Sequence, residues 1–212
     1  MKKRYILLIL LGSIVANAEM TPEVMEIQKH WAEVNYLTNE DAKEKAFENL
    51  AKAASNLVLK QPQNPHALVW EGIVYSTYAG VAGTFSAGKL AKHAKQSFEK
   101  AIEIDGDALN GSAYTSLGVL YYKVPGWPLS FGSDKKAMKY LQKGLELNPD
   151  GIDSNYFFAD FLYEEEDEYE KAKQHLIKAQ NATPRPGREV ADKGRQAEIK
   201  KLLSKVEEEL EG

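Results

Sequence analysis

Apolar side chains recur along most of this chain at spacings of three and four residues, which place them on one face of a helix. The pattern is clearest in residues 153–186, where an acidic run at 164–168 separates two such sets. The two sets are Tyr156, Ala159, Asp160 and Tyr163, and then Ala172, Leu176, Ala179 and the closing Pro184. Because the acidic run is too charged for a core, it predicts a turn between two paired helices.

The same two-helix pattern occurs twice upstream, in residues 111–149 and 65–106. The matching positions are Tyr114, Leu117, Gly118, Tyr121, Ala137, Leu141, Gly144 and Pro149 in one copy, and Leu68, Gly72, Tyr75, Ala94, Phe98, Ala101 and Gly106 in the other. Gly72 and Gly118 are the small positions at which the two helices of a unit are expected to approach closely. Three copies in tandem predict an array whose units bury their apolar faces on one another.

Residues 21–62 predict a degenerate first unit. Thr21 and Asn39 precede its two helical segments, and both are good N-cap residues. The register of its second helix stays open between one that buries Ala54 and one that buries Ala53. In the last unit, we expect Asp150 and Asp153 to cap the first helix.

Residues 188–211 predict one long amphipathic helix after the final unit. Its apolar stripe consists of Val190, Ile199, Leu202, Leu203, Val206 and Leu210. A repeat array needs a terminal element with a polar outer face, so this segment is expected to be a C-terminal capping helix. Residues 19–212 therefore predict a single all-α domain with units at about 21–62, 65–106, 111–149 and 153–186.

The spacing of aromatic, small and proline positions in these units resembles the tetratricopeptide-repeat (TPR) family, whose repeat is 34 residues long. The resemblance implies a TPR-like right-handed superhelix of about four helix pairs, with a concave groove lined by the first helix of each unit. Carried onto this chain, the groove positions include Val69, Ile73, Thr115, Val119, Tyr122, Phe157 and Phe161. Since most of these side chains are apolar, the groove is expected to favour apolar groups of a partner or ligand.

Two units are lengthened between their helices, and the two insertions are expected to lie side by side along one edge of the array, where repeat proteins often bind. The second insertion contains Trp127 and Phe131, which either cover the edge of the array or line a binding site. The first has the G-x-x-x-x-G-K spacing of a phosphate-binding loop at residues 83–89, but Leu90 replaces the required hydroxyl. We therefore expect no nucleotide there and place Lys89 in the first turn of the next helix.

The start of the chain has the three-part layout of a secretory signal peptide. Basic residues 2–4 precede an apolar run at residues 5–15, and Ala16 and Ala18 supply the small residues before Glu19. We predict cleavage after Ala18, a periplasmic location, and no membrane span after cleavage. The chain has no cysteine, which excludes disulfides, a thiolate nucleophile and cysteine-ligated metals.

Charge and residue spacing argue against several further functions. The net charge is −4 with no basic block, so nucleic acid is not an expected partner. The four histidines show no metal-ligand spacing, and no G-x-S-x-G elbow is present. We therefore predict no enzyme activity, no catalytic or metal-binding residue and no cofactor.

Three stretches are similar to a group of small exported bacterial repeat proteins, namely residues 109–114, 125–132 and 185–195. The architecture also resembles the TPR component of periplasmic TRAP-type transporters. That resemblance implies a helical partner of a solute-binding protein.

Taken together, these patterns predict a non-catalytic periplasmic binding scaffold that engages a protein or peptide through the groove and the inserted loops. The alternative is a carrier or transporter-accessory protein, in which the groove and the loop at residues 125–132 enclose an apolar small ligand. The identity of the partner and the oligomeric state do not follow from the sequence.

Overall fold

The computed structural model describes residues 20–212, so the predicted signal peptide and its cleavage site lie outside the described residues. Within that range the fold is all-α, as predicted. Its helices are α1 (Pro22–Leu37), α2 (Glu40–Lys60), α3 (Pro65–Val81), α4 (Thr84–Asp105), α5 (Ala108–Lys123), α6 (Asp134–Leu147), α7 (Ile152–Glu164), α8 (Tyr169–Gln180) and α9 (Glu189–Glu211). In residues 20–212 no helix is long and apolar enough to cross a membrane.

Local sequence signals set several helix starts. The Thr21 Oγ1 accepts a hydrogen bond from the Val24 N–H at 3.4 Å, and the Asn39 Oδ1 accepts one from the Ala42 N–H at 2.9 Å. Both predicted N-caps are therefore confirmed. The expected carboxylate cap of α7 is wrong, because Gly151 occupies the N-cap position and makes no side-chain cap.

The helices form four successive hairpins, α1/α2, α3/α4, α5/α6 and α7/α8, followed by α9. The first helices of the hairpins also contact one another in order, α1 to α3, α3 to α5 and α5 to α7. Two layers result, with the odd-numbered helices on the inside. The handedness of the superhelix stays a prediction.

The paired helices approach closely at small residues, as the pattern predicted. A Cβ added at Gly118 of α5 would lie 2.7 Å from the Leu141 Cγ and 3.0 Å from the Leu141 backbone N of α6. At Gly72 of α3 it would lie 2.4 Å from the Phe98 ring of α4. In the first unit, α2 buries Leu50, Ala54 and Leu57, which settles the register left open above.

The first insertion is helical rather than a loop. It lengthens α3 to Val81 and starts α4 at Thr84, so Lys89 lies in the second turn of α4 and not in the first. The second insertion is the loop of residues 124–133 between α5 and α6. The Lys95 Nζ of α4 lies 5.9 Å from the centre of the Phe131 ring, which places this loop beside α4. That the two insertions lie side by side stays a prediction.

The last helix does more than cap the array. α9 buries Ile199, Leu202 and Val206 and packs on α8, and its inner face also contacts α7 and α1. Because α9 reaches α1, the inner helices α1, α3, α5, α7 and α9 form a closed ring. The helix therefore closes the predicted groove without filling it.

Candidate ligand cavity

The ring of inner helices surrounds a cavity of about 620 Å³. All five inner helices contribute to its wall, together with the segments that lead into α7 and α9. Volumes of a few hundred cubic ångströms are typical of sites for small ligands. The concave side is thus a cavity ringed by five helices and partly open to solvent, rather than a groove that is open along one side.

One side of the cavity is apolar and aromatic. Its wall includes Trp31 of α1, Trp70 and Ile73 of α3, Val119 of α5 and Phe157 of α7. The rings of Trp31 and Trp70 pack with their centres 5.9 Å apart. The Trp31 Nε1 donates a hydrogen bond to the Thr77 Oγ1 at 3.0 Å, so its polar group is satisfied.

The cavity wall also carries a cluster of paired charges around Asp153, in the first turn of α7. Its Oδ2 accepts a hydrogen bond from the Arg185 Nη1 at 2.6 Å, and its Oδ1 accepts one from the Arg195 Nε at 2.8 Å. Arg185 also donates from Nε to the Asp192 Oδ1 at 2.7 Å, and Arg195 pairs with Glu198. The cluster ties α7 to α9 and to the segment before α9.

The pKa values in this cluster follow from its pairing. Burial opposes ionisation of Asp153, but Arg195 and Arg185 outweigh it and hold the pKa of that carboxyl well below its usual range. Burial likewise opposes the charge on Arg195, but Asp153 raises the pKa of the guanidinium above its ordinary value. Both groups are therefore charged across the physiological pH range.

Arg188, directly before α9, differs from these two arginines. Its guanidinium carbon lies 5.3 Å from the centre of the Trp70 ring, and its Nε is buried without a hydrogen-bond partner. Burial, together with the positive charge of Arg185, lowers the pKa of Arg188 to about 10. The negative charges of Asp153 and Asp192 act in the opposite direction but do not outweigh these two effects on the pKa.

A left-handed turn also borders the cavity, at the start of α5. Leu109, Asn110 and Gly111 have φ angles of 51°, 53° and 72°. The Ser112 Oγ donates a hydrogen bond to the Leu109 carbonyl oxygen at 2.7 Å and supports the turn. Residues other than glycine pay about 1–2 kcal/mol for this conformation, and such strain is common at binding sites.

The predicted groove residues separate into two groups. Ile73, Thr115, Val119 and Phe157 line the cavity together. Val69, Tyr122 and Phe161 are buried between helices and do not line it. Val69 and Phe161 are completely inaccessible, and the Tyr122 hydroxyl donates a hydrogen bond to the Asp160 Oδ2 at 2.6 Å.

Trp127 and Phe131 lie on the loop between α5 and α6, away from the cavity lining. Phe131 packs edge-on against Tyr121, with ring centres 5.7 Å apart, so it covers the edge of the array. Trp127 remains 89% exposed and its neighbour Leu129 83% exposed. Phe131 therefore has the covering role, and a binding role for Trp127 stays a prediction.

The reasoning from repeat positions missed Trp31, Trp70 and the three arginines of the cavity. The arginines all lie within residues 185–195, a stretch singled out only for its similarity to other exported proteins. The left-handed turn lies in a second such stretch, residues 109–114. A groove assembled from repeat helices alone leaves out the last helix and the segment before it.

A second polar cluster lies outside the cavity, between α2, α3 and α4. The Glu71 carboxylate accepts hydrogen bonds from the Ser55 and Ser97 hydroxyls, each at 2.8 Å, and its Oε1 lies 3.2 Å from the His93 Nε2. Burial alone would raise the pKa of Glu71, but these partners lower it. Glu71 and Ser97 are buried in the packed interior, so the cluster joins helices and offers no room for a substrate.

No protein-family model matches the chain, and no curated protein matches it. Among solved structures, it is similar to a crystal structure of MamA, with 22% identity, a TM-score of 0.46 and coverage of 83% of this chain and 96% of MamA. A second MamA structure is 20% identical, with a TM-score of 0.44 and coverage of 87% and 93%. None of these findings supports the resemblance to the transporter component.

Proposed function

We propose that this protein is a non-catalytic periplasmic binding protein that holds one compact ligand in its central cavity. The observation that carries the proposal is the contact of α9 with α1, which closes the inner helices around about 620 Å³. An extended partner needs a groove that is open along its length, whereas a cavity ringed by five helices suits a small molecule or the end of a peptide chain. The carrier alternative is therefore favoured over the groove-binding scaffold.

The absence of catalysis is part of the proposal and rests on how the charged groups are used. A general base needs an oxygen free to take a proton at about neutral pH. Both oxygens of Asp153 already accept hydrogen bonds from arginines, which hold its pKa far below that range. The cluster is suited to fixing the shape and charge of the cavity.

Native mass spectrometry of the protein purified from a periplasmic fraction tests this function. We expect a species heavier than the bare polypeptide, whose extra mass is released by collisional activation. The polypeptide mass itself reports the start of the chain, which we expect at Glu19. Replacing Ser116, a small residue of the cavity wall, with tryptophan is expected to abolish the heavier species.

Ser86→Trp is the matched control, because Ser86 lies on the exposed surface of α4. It is expected to retain the ligand, and circular dichroism should show native helix content in both variants. Bare protein in repeated preparations, or retention of the ligand by Ser116→Trp, would contradict binding in the cavity. A chain that begins at Met1 in the exported fraction would contradict the proposed processing.

A second candidate function is contact with a partner protein through the loop of residues 124–133. Its basis is the exposure of Trp127 and Leu129, since large apolar side chains in solvent often belong to interaction surfaces. We expect Trp127→Ala to change the free energy of unfolding by no more than about 0.5 kcal/mol in urea denaturation, because the ring is not part of the core. A larger loss would show that the ring supports the fold and would remove the basis for this candidate.

A further inference from the structure

The cavity wall carries an arginine, Arg188, that has no anionic partner within residues 20–212. Arg185 and Arg195 are each held by two carboxylates. The Arg188 side chain, in contrast, makes no salt bridge in the described part of the chain, and its Nε is shielded from solvent without an acceptor. Arg188 as a whole is only partly buried, but leaving a shielded N–H without an acceptor is costly, so natural proteins rarely keep one in this state.

A second unpaired donor lies beside it. Trp70 lines the cavity and is 97% buried by the rest of the protein, being 3% exposed, and its Nε1–H has no acceptor. Its ring lies under the Arg188 guanidinium and attracts it by a cation–π interaction. The ring therefore holds the guanidinium in place, and each of these two neighbouring side chains has an N–H without an acceptor in residues 20–212.

The surrounding charges limit which anionic group can bind beside Arg188. Asp150 and Asp153 also border the cavity, and Glu33 and Glu189 border a smaller recess of about 100 Å³ that Arg188 shares. None of these four carboxylates lies within salt-bridge distance of Arg188. A dianionic phosphate would be repelled by the two aspartates, whereas a single carboxylate matches the one guanidinium of this wall that makes no salt bridge.

We infer that Arg188, supported by Trp70, binds the carboxylate of a ligand whose remaining part is apolar and lies against Ile73, Val119 and Phe157. The inference rests on the proposed binding function and specifies its ligand class. The carboxylate can belong to a free organic acid or to the C-terminus of an apolar peptide, since both present the same group. The guanidinium distinguishes such a ligand from a neutral analogue of the same shape.

Titration calorimetry of the mature chain with matched probes tests this inference. The probes are 4-phenylbutyrate and 4-phenylbutyramide for the small-acid source, and acetyl-Leu-Leu-Phe with a free carboxylate or a C-terminal amide for the peptide source. We expect at least one acid to bind about 10- to 100-fold more tightly than its amide, the range for a hydrogen bond to a charged group. Arg188→Met is expected to remove this preference while leaving the affinity for the amide unchanged.

Two further variants control for charge and shape. Lys193→Met removes the same charge from the exposed face of α9 and is expected to leave the preference intact. Arg188→Lys keeps the charge but loses the planar fork, so it should restore only part of the preference. Equal binding of acid and amide, or a preference that survives Arg188→Met, would overturn the inference and leave the binding function standing. No binding of any probe, together with bare protein in native mass spectrometry, would overturn both.

Discussion

Gly194→Leu is expected to lower the free energy of unfolding by about 3 kcal/mol, because it forces α9 away from α1. A Cβ added at Gly194 would lie 2.3 to 2.5 Å from three atoms of the Tyr36 ring, well inside van der Waals contact. That ring is not free to swing aside, since it packs edge-on against Trp31 with centres 5.9 Å apart. Urea denaturation measures the loss.

The substitution has a matched control in the same protein. Leucine is a better helix former than glycine by about 0.8 kcal/mol, so the helix itself gains from the change. Gly88 also lies inside a helix, α4, but nothing lies within 4 Å of its added Cβ. Gly88→Leu is therefore expected to leave stability unchanged or raise it slightly.

A second variant tests the cause. If the Tyr36 ring is the obstacle, Tyr36→Ala in the Gly194→Leu background should recover a large part of the lost stability, although it is destabilising alone. The double-mutant cycle then gives a coupling energy of 0.5 kcal/mol or more. Purely additive effects on the free energy of unfolding would mean that the Tyr36–Gly194 contact does not close the ring of inner helices.

Most of the fold follows from local sequence signals. The repeat spacing gave the order of the hairpins, Thr21 and Asn39 gave two helix starts, and Gly118 gave a point of close helix contact. Each of these depends on residues within one or two neighbouring helices. Such information is present in any window of about forty residues.

Closure of the ring of inner helices, in contrast, depends on residues that are far apart in the sequence. Tyr36 and Gly194 are separated by most of the chain, and no repeat position relates them. The one available signal was Gly194 itself, since an isolated glycine inside a helical pattern usually has a packing reason. Without the partner ring, the sequence does not say which surface the glycine approaches.

The cavity residues also divide into those that the repeat positions predict and those that they do not. Ile73, Val119 and Phe157 follow from the repeat positions, because each unit presents the same face of its first helix. Val69 and Phe161 occupy repeat positions of the same kind, but their side chains are completely buried between packed helices and do not reach the cavity. Side chains that the repeat does not generate, such as Arg188, become visible only once α9 is in place.

Closure of the ring and the charge cluster are parts of one arrangement. α9 is held to α1 by the Tyr36–Gly194 contact and to α7 by Arg195, whose guanidinium also lies 4.4 Å from the centre of the Phe157 ring. Arg188 lies at the start of this helix, so its position over Trp70 depends on both attachments. Loss of either should therefore weaken ligand binding as well as stability.

Asp153→Asn tests the second attachment and is expected to cost about 2 to 3 kcal/mol at pH 7. Removing one partner of a buried ion pair typically costs about 3 to 5 kcal/mol, and the partial access of Asp153 to the cavity reduces this. The loss arises because Arg195, which is 93% buried at 7% exposure, keeps its charge while an amide faces it. Asp150→Asn, two residues before α7 and without a salt bridge in the described chain, should change stability by less than about 0.5 kcal/mol.

The pH dependence of the free energy of unfolding distinguishes the contribution of the Asp153 charge from that of its shape. The pKa of Asp153 is lowered in the folded state, so its stabilisation is present above the unfolded value of about 3.9 and is lost as the pH falls further toward the folded value. The difference in unfolding free energy between wild type and Asp153→Asn should thus be constant above about pH 5 and shrink steadily below about pH 4. Urea denaturation of both proteins from pH 7 to about pH 2.5 measures it. A difference that stays constant over this range would mean that the shape of the carboxylate, rather than its charge, holds α9 against α7.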